Sequence, residues 1–91
     1  MSGELTSWYV YILRCADDSL YTGVTTDTVR RLNEHNFDDR LGAKYTRPRR
    51  PVSLVYQQAC ANRSAACKRE AEIKKMSRPA KLKLLQRGDA Q

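Results

Sequence analysis

Seven consecutive residues near the N-terminus, Trp8-Tyr9-Val10-Tyr11-Ile12-Leu13-Arg14, leave this chain little choice but a β-strand. Aromatic and β-branched side chains fit a pleated, half-buried surface, whereas a helix restricts their rotamers. A turn cluster, Ala16-Asp17-Asp18-Ser19, follows, and strand character resumes over Leu20 to Thr25. The two segments therefore predict a β-hairpin. Alternation along a strand puts Tyr9, Tyr11 and Leu13 on one face of the first segment, and Tyr21 and Gly23 on one face of the second. An odd number of residues in the connection would bring Tyr11 and Tyr21 to the same face of the sheet.

The rest of the chain supplies helices and one further strand. Asp27 is a good N-cap for a helix over Thr28 to Phe37, with Val29, Leu32 and Phe37 as a thin apolar face. Asp38 to Pro51 reads as a polar loop, in which Thr46-Arg47-Pro48-Arg49-Arg50-Pro51 excludes a regular element. Val52 to Ala61 reads as a third strand. Asn62 or Ser64 caps a helix to about Met76, and Ser77 caps another, with Pro79 in its first turn and Leu82 and Leu85 facing inward. The order β-β-α-β-α-α gives an α/β (α+β) class, a three-stranded sheet with helices packed against it. At 91 residues there is room for one core, so residues 1–91 form a single domain with its core over about 7–85 and frayed ends at 1–6 and 87–91.

Charge narrows the partners. The net charge is +7, from 17 Lys and Arg against 10 Asp and Glu, which predisposes a small domain to meet a polyanion. The alternative is a protein that is merely basic. Cys15, Cys60 and Cys67 form no CxxC pair and, with one histidine in the chain, no metal-ligand spacing. They read as reduced thiols of a cytoplasmic protein. There is no signal-peptide pattern, and no apolar run approaches the roughly 20 residues that span a bilayer, so no membrane partner is expected.

Five residues stand out as candidates for chemistry. Tyr11 and Tyr21 are a cross-strand pair that could be structural alone. Arg31 and His35, spaced i, i+4, share one helix face. Arg31 suits a phosphate oxygen. An arginine neighbour favours the neutral form of His35, which accepts protons. The alternative for both is a solvated face. Glu70 sits between Ala66 and Ile73 on an apolar stripe, where a carboxylate needs a cation. That cation is either an arginine or a single hard ion such as Mg²⁺ or Mn²⁺, unless the helix is rotated enough to expose the carboxylate. Gly23 within a strand marks a close approach of backbone or of a ligand, here nucleic acid, or a bulge. Lys44, Tyr45, Arg47, Arg49 and Arg50 form a basic loop suited to phosphates and to stacking on bases.

The order of these residues resembles the GIY-YIG nuclease superfamily, and its small bacterial single-domain subgroup in particular. The likeness is carried by Val10-Tyr11, by Tyr21-Thr22-Gly23 after a short hairpin, by Arg31 and His35 on the next helix, and by Glu70 on the one after. It runs from about Ser7 to Leu85. It implies a mixed three-stranded sheet flanked by helices and divalent-metal-dependent phosphodiester hydrolysis. With the net charge it makes an endonuclease acting in repair or recombination the leading hypothesis, DNA being favoured over RNA as the nucleic-acid partner. It casts Tyr11 as general base or water-positioning group and Tyr21 as a contact to the reacting phosphate. Arg31 steadies the phosphate, His35 takes the tyrosine proton as in some members, and Glu70 holds one Mg²⁺ or Mn²⁺. The first triplet keeps only its tyrosine, with Tyr9 in the glycine position, and Thr22 replaces the second triplet's isoleucine. The chain has no room for a separate specificity domain, which suggests a protein partner. The alternative is a non-catalytic module that binds nucleic acid or docks on a partner.

Overall fold

A computed structural model of the protein describes residues 7–88; of the expected frayed ends 1–6 and 87–91, residues 1–6 and 89–91 lie outside these residues, and 87–88 close the last helix. Strand β1 (Trp8–Arg14) and strand β2 (Leu20–Thr25) form the hairpin, and helix α1 (Thr28–Phe37) follows. Strand β3 (Ser53–Cys60), helix α2 (Arg63–Lys74) and helix α3 (Arg78–Gly88) complete the chain. Caps set the helix starts. The Asp27 carboxylate accepts from Arg30 N, the Asn62 side chain from Ala65 N, and the Ser77 hydroxyl oxygen from Ala80 N.

The three strands lie in the order β2-β1-β3, and both pairings are antiparallel. The expected mixed sheet is therefore corrected to an antiparallel one. The crossover through α1 does make β2 and β3 parallel to each other, but β1 lies between them, so no parallel ladder forms. Tyr11 pairs with Gly23 and Leu13 with Tyr21, which puts both tyrosines on one face, as the hairpin alternation requires.

Each face of the sheet buries its own cluster. Val10, Ile12 and Tyr56 pack against Ile73 of α2 and Leu85 of α3. On the other face Tyr11, Leu13, Cys15 and Val52 pack with Tyr21, Leu54 and Leu32 of α1. Val10, Ile12 and Ile73 are completely buried, each stabilising the fold by about 1.5–3 kcal/mol through apolar area removed from water.

Two local expectations change. Val29 and Phe37 are 70% and 80% exposed, so α1 does not pack on the apolar stripe expected of it. It turns Leu32 and the polar residues His35 and Asn36 inward instead. Asn36 Nδ2 donates to Val52 O at 2.9 Å, and Val52 N donates to Asn36 Oδ1 at 2.7 Å. A side-chain amide satisfied on both ends fixes the rotation of the helix by direction, which apolar contact does not. In the loop after α1, Arg47–Arg49 form one 3-10 turn where no regular element was expected. Pro48 is compatible because the first turn of a helix leaves its N–H groups unpaired.

Candidate active site

The hairpin and α1 bring four of the five candidates together. Tyr11 crosses from the central strand over Gly23 in the edge strand. A Cβ at position 23 would stand 2.6 Å from Tyr11 Oη and 2.8 Å from Cζ. The strand register runs unbroken through this pair, so the glycine marks no bulge. The close approach is that of Tyr11 itself, and Gly23, expected to contact nucleic acid, lies buried beneath that ring.

Tyr11 ends on His35. Its hydroxyl lies 2.9 Å from His35 Nε2, and the two residues are 2% and 0% exposed. Tyr21 closes the group, with ring centroids 6.5 Å from Tyr11 and 5.2 Å from His35. The solvated-face alternative for His35 is thereby removed. Burial pushes the Tyr11 phenol up to about 12, while the positive charge of Arg31 beside it pulls the other way. Burial, then Arg31 and Arg50, push His35 down to about 4. At neutral pH the pair is a neutral phenol and a neutral imidazole.

Arg31 is fixed rather than mobile. Its Nη1 lies 2.8 Å from Glu34 Oε1 and 2.6 Å from Leu41 O. Its charge is felt at both Tyr11 and His35. Glu70 stands on α2, across the sheet from α1, yet its carboxylate is near enough to raise the Tyr11 pKa. It is only partly exposed and pairs with Lys74 Nζ at 3.1 Å, so the cation found for it is a lysine and not an arginine. Among the described residues no group of three or more His, Cys, Asp or Glu could hold a metal ion. A lone carboxylate facing a flexible, exposed ammonium fits a hard divalent ion that draws its other ligands from water and phosphate.

The basic loop divides. Arg50 donates from Nε to His35 O at 2.6 Å and from Nη2 to Asp38 O at 3.0 Å, and pairs with Asp39 at 2.8 Å. Arg49 pairs with Asp17 Oδ2 at 3.0 Å, donates to Tyr45 O at 2.7 Å and places its guanidinium 4.0 Å over the Tyr45 ring. The Tyr45 ring also stacks on Tyr21, with centroids 5.9 Å apart. These three, expected to contact nucleic acid, tie the loop to α1 and the hairpin. Lys44 and Arg47 are exposed and enter no ion pair among the described residues.

One member of the site was not anticipated. Thr46, completely buried, places Oγ1 2.8 Å from His35 Nδ1. In the sequence it reads as one more loop residue among arginines and prolines. The only signal was its place beside Tyr45 in an otherwise charged run. A groove of about 870 Å³ between β3, α2 and α3 holds none of the five candidates; Tyr9, Tyr56, Arg69 and Leu84 are among its lining residues.

The model of the GIY-YIG catalytic domain family matches residues 7–83. A UPF0213 protein of Syntrophus aciditrophicus is 54% identical over 77 residues, 85% of this chain and 87% of the relative. One from Desulfotalea psychrophila is 56% identical over 71 residues, and there the match spans 64% of the relative's length. Two solution NMR structures are similar. The UPF0213 protein of Bacillus halodurans has 45% identity and a TM-score of 0.56, covering 88% of this chain and 83% of that one. A protein of E. faecalis has 44% identity and a TM-score of 0.63, covering 93% and 88%.

Proposed function

Because the chain belongs to the GIY-YIG catalytic domain family, a nuclease-type domain, we propose that it is a divalent-metal-dependent endonuclease that hydrolyses phosphodiester bonds in DNA, in repair or recombination. The observation that carries this reading is the buried 2.9 Å contact of Tyr11 Oη with His35 Nε2, with the charges of Arg31 and Glu70 both reaching the phenol.

In this reading Tyr11 orients the attacking water and accepts its proton, while its own proton passes to His35 Nε2. The resting values of about 12 and about 4 are roughly eight pH units apart. Moving that proton with no help would cost on the order of 10 kcal/mol. The site therefore does not rest as a phenolate, and positive charge must stabilise one as the reaction proceeds. Arg31 supplies fixed charge beside the phenol, where negative charge grows on the phosphate. Tyr21, packed against both Tyr11 and His35, contacts the phosphate or its water in this reading. When bound at Glu70, a Mg²⁺ or Mn²⁺ ion supplies Lewis-acid neutralisation of the phosphate. Lys44 and Arg47, exposed on the loop after α1, provide phosphate contacts that do not depend on sequence.

The test is cleavage of nicked, branched and single-stranded DNA with Mg²⁺ or Mn²⁺, against a Glu70→Ala control. Metal-stimulated cleavage lost in the control supports the reading. The Glu70–Lys74 pair favours a second one, a DNA-binding module without turnover. Salt-dependent binding with no cleavage on any substrate would establish that one instead.

A further inference from the structure

Two hydroxyls flank the His35 ring, and each can donate or accept. The Thr46 hydroxyl has Ala43 O at 3.1 Å as an acceptor for its hydrogen, whereas the hydrogen bond of the Tyr11 hydroxyl is to His35 Nε2 at 2.9 Å. With Tyr11 donating there, Thr46 Oγ1, 2.8 Å from Nδ1, accepts, and Nδ1 bears the ring hydrogen. In a neutral imidazole this leaves a lone pair on Nε2, and Nε2 faces Tyr11 Oη at 2.9 Å. The chain of donation runs from Tyr11 to His35, from His35 to Thr46, and from Thr46 to the backbone of Ala43. Among the described residues no buried side-chain polar atom lacks a partner, which is the condition for such a chain to close.

We propose that Thr46 is a positioning residue that holds His35 in the tautomer able to accept the Tyr11 proton. This rests on the nuclease reading for its catalytic meaning, but the tautomer itself does not. With the opposite tautomer, Nε2 would present a hydrogen to Tyr11 and could take none. The relay is also closed at its far end. When the Tyr11 O–H bond breaks and the Nε2–H bond forms, the imidazolium keeps its Nδ1 hydrogen on Thr46. Thr46 in turn keeps its own on a carbonyl that takes no further proton. The transferred proton can leave only by way of Nε2, back through Tyr11. His35 is thus a reversible store, and the leaving oxygen is protonated from the tyrosine side. A His partner that fixes the tautomer has a known weight in catalysis: in a serine-protease triad the wrong tautomer lowers kcat by about 10⁴-fold.

The chain has a single histidine, so long-range ¹H–¹⁵N correlation of the labelled protein reads one imidazole. The expected wild-type result at pH 7 is a protonated Nδ1 and an unprotonated Nε2. Thr46→Val removes the acceptor of the Nδ1 hydrogen, so the preference for that tautomer should be lost and hydrogen should be found on Nε2 as well. Thr46→Ser should keep the wild-type pattern. In the cleavage assay Thr46→Val should lose at least about 10²-fold in kcat with KM unchanged, and Thr46→Ser should recover most of it. A wild-type protein with hydrogen on Nε2 overturns the proposal, and this measurement stands even if Thr46→Val does not fold. Wild-type tautomer and rate in a folded Thr46→Val protein overturn it as well. A protonated Nδ1 in a protein that cleaves no DNA keeps the positioning role and removes the nuclease reading.

Discussion

Tyr11 lies so close over Gly23 that a Cβ on residue 23 would stand 2.6 Å from the phenol oxygen. The glycine is the seat of the tyrosine. Gly23→Ala should push the ring away from His35 and destabilise the fold by about 1–3 kcal/mol through overpacking. Cleavage should fall with it. Because Tyr11 Cζ is also within 2.8 Å, Tyr11→Phe should relieve only part of the strain. A double-mutant cycle on the two positions, read by denaturant unfolding, should give a coupling energy well above zero. Additive single effects would mean that the ring and the backbone do not touch in solution.

Tyr11→Phe keeps the ring and removes the hydroxyl that meets His35 Nε2. The expected result is loss of cleavage to background with a stability change of about 1–3 kcal/mol, the cost of one buried acceptor left unpaired. Cleavage near the wild-type rate in the purified variant would place the chemistry elsewhere.

The burial of His35 makes stability depend on pH. Its folded pKa, about 4, lies below the ordinary 6.5 of an unfolded chain. Between these values the unfolded state binds the proton and the folded state does not, so stability falls as pH drops from about 6.5 towards 4. The loss amounts to on the order of 3 kcal/mol. Denaturant midpoints measured at pH 7 and pH 4.5 should show it in the wild type and show much less of it in His35→Gln. An equal decline in both would assign the pH dependence to other groups.

The basic loop should separate into stability and binding. Arg50 satisfies the carbonyls of His35 and Asp38 from a half-buried position. Arg50→Met should cost about 2–3 kcal/mol, as hydrogen bonds to a charged group are lost. Lys44→Ala and Arg47→Ala should leave stability within about 0.5 kcal/mol. Under the proposed function, each should lower the slope of DNA affinity against salt concentration by about 1. Fluorescence anisotropy over a salt series distinguishes the two sets.

Local features of the fold were readable because their causes are local. The strand segments follow from side-chain alternation, and the starts of α1 and α2 follow from Asp27 and Asn62 as caps. The sequence placed Tyr11 and Tyr21 on one face only on the condition of an odd-length connection, which the strand register meets. What was missed depends on partners distant in sequence. Arg49 finds Asp17 from 32 residues away, and Arg50 finds the His35 carbonyl from 15. Nothing in a run of arginines shows which are already engaged. Thr46 was missed for the same reason, since its importance lies wholly in a histidine on the preceding helix. The antiparallel pairing of β3 likewise depends on which edge of β1 the crossover reaches, a choice made by packing and not by the strand's own residues.

The connection between α1 and β3 is long and polar, the kind of segment in which relatives ordinarily differ in length. Here its spacing is fixed at one point after another. Leu41 O receives Arg31, Gly42 N donates to Asp38 O, Thr46 holds the His35 ring, and Arg50 holds the His35 backbone. The same histidine is gripped at two points only four residues apart in the loop. A one-residue insertion between Thr46 and Arg50 would let at most one grip survive. A loop grafted from a longer relative would have to carry both grips with it.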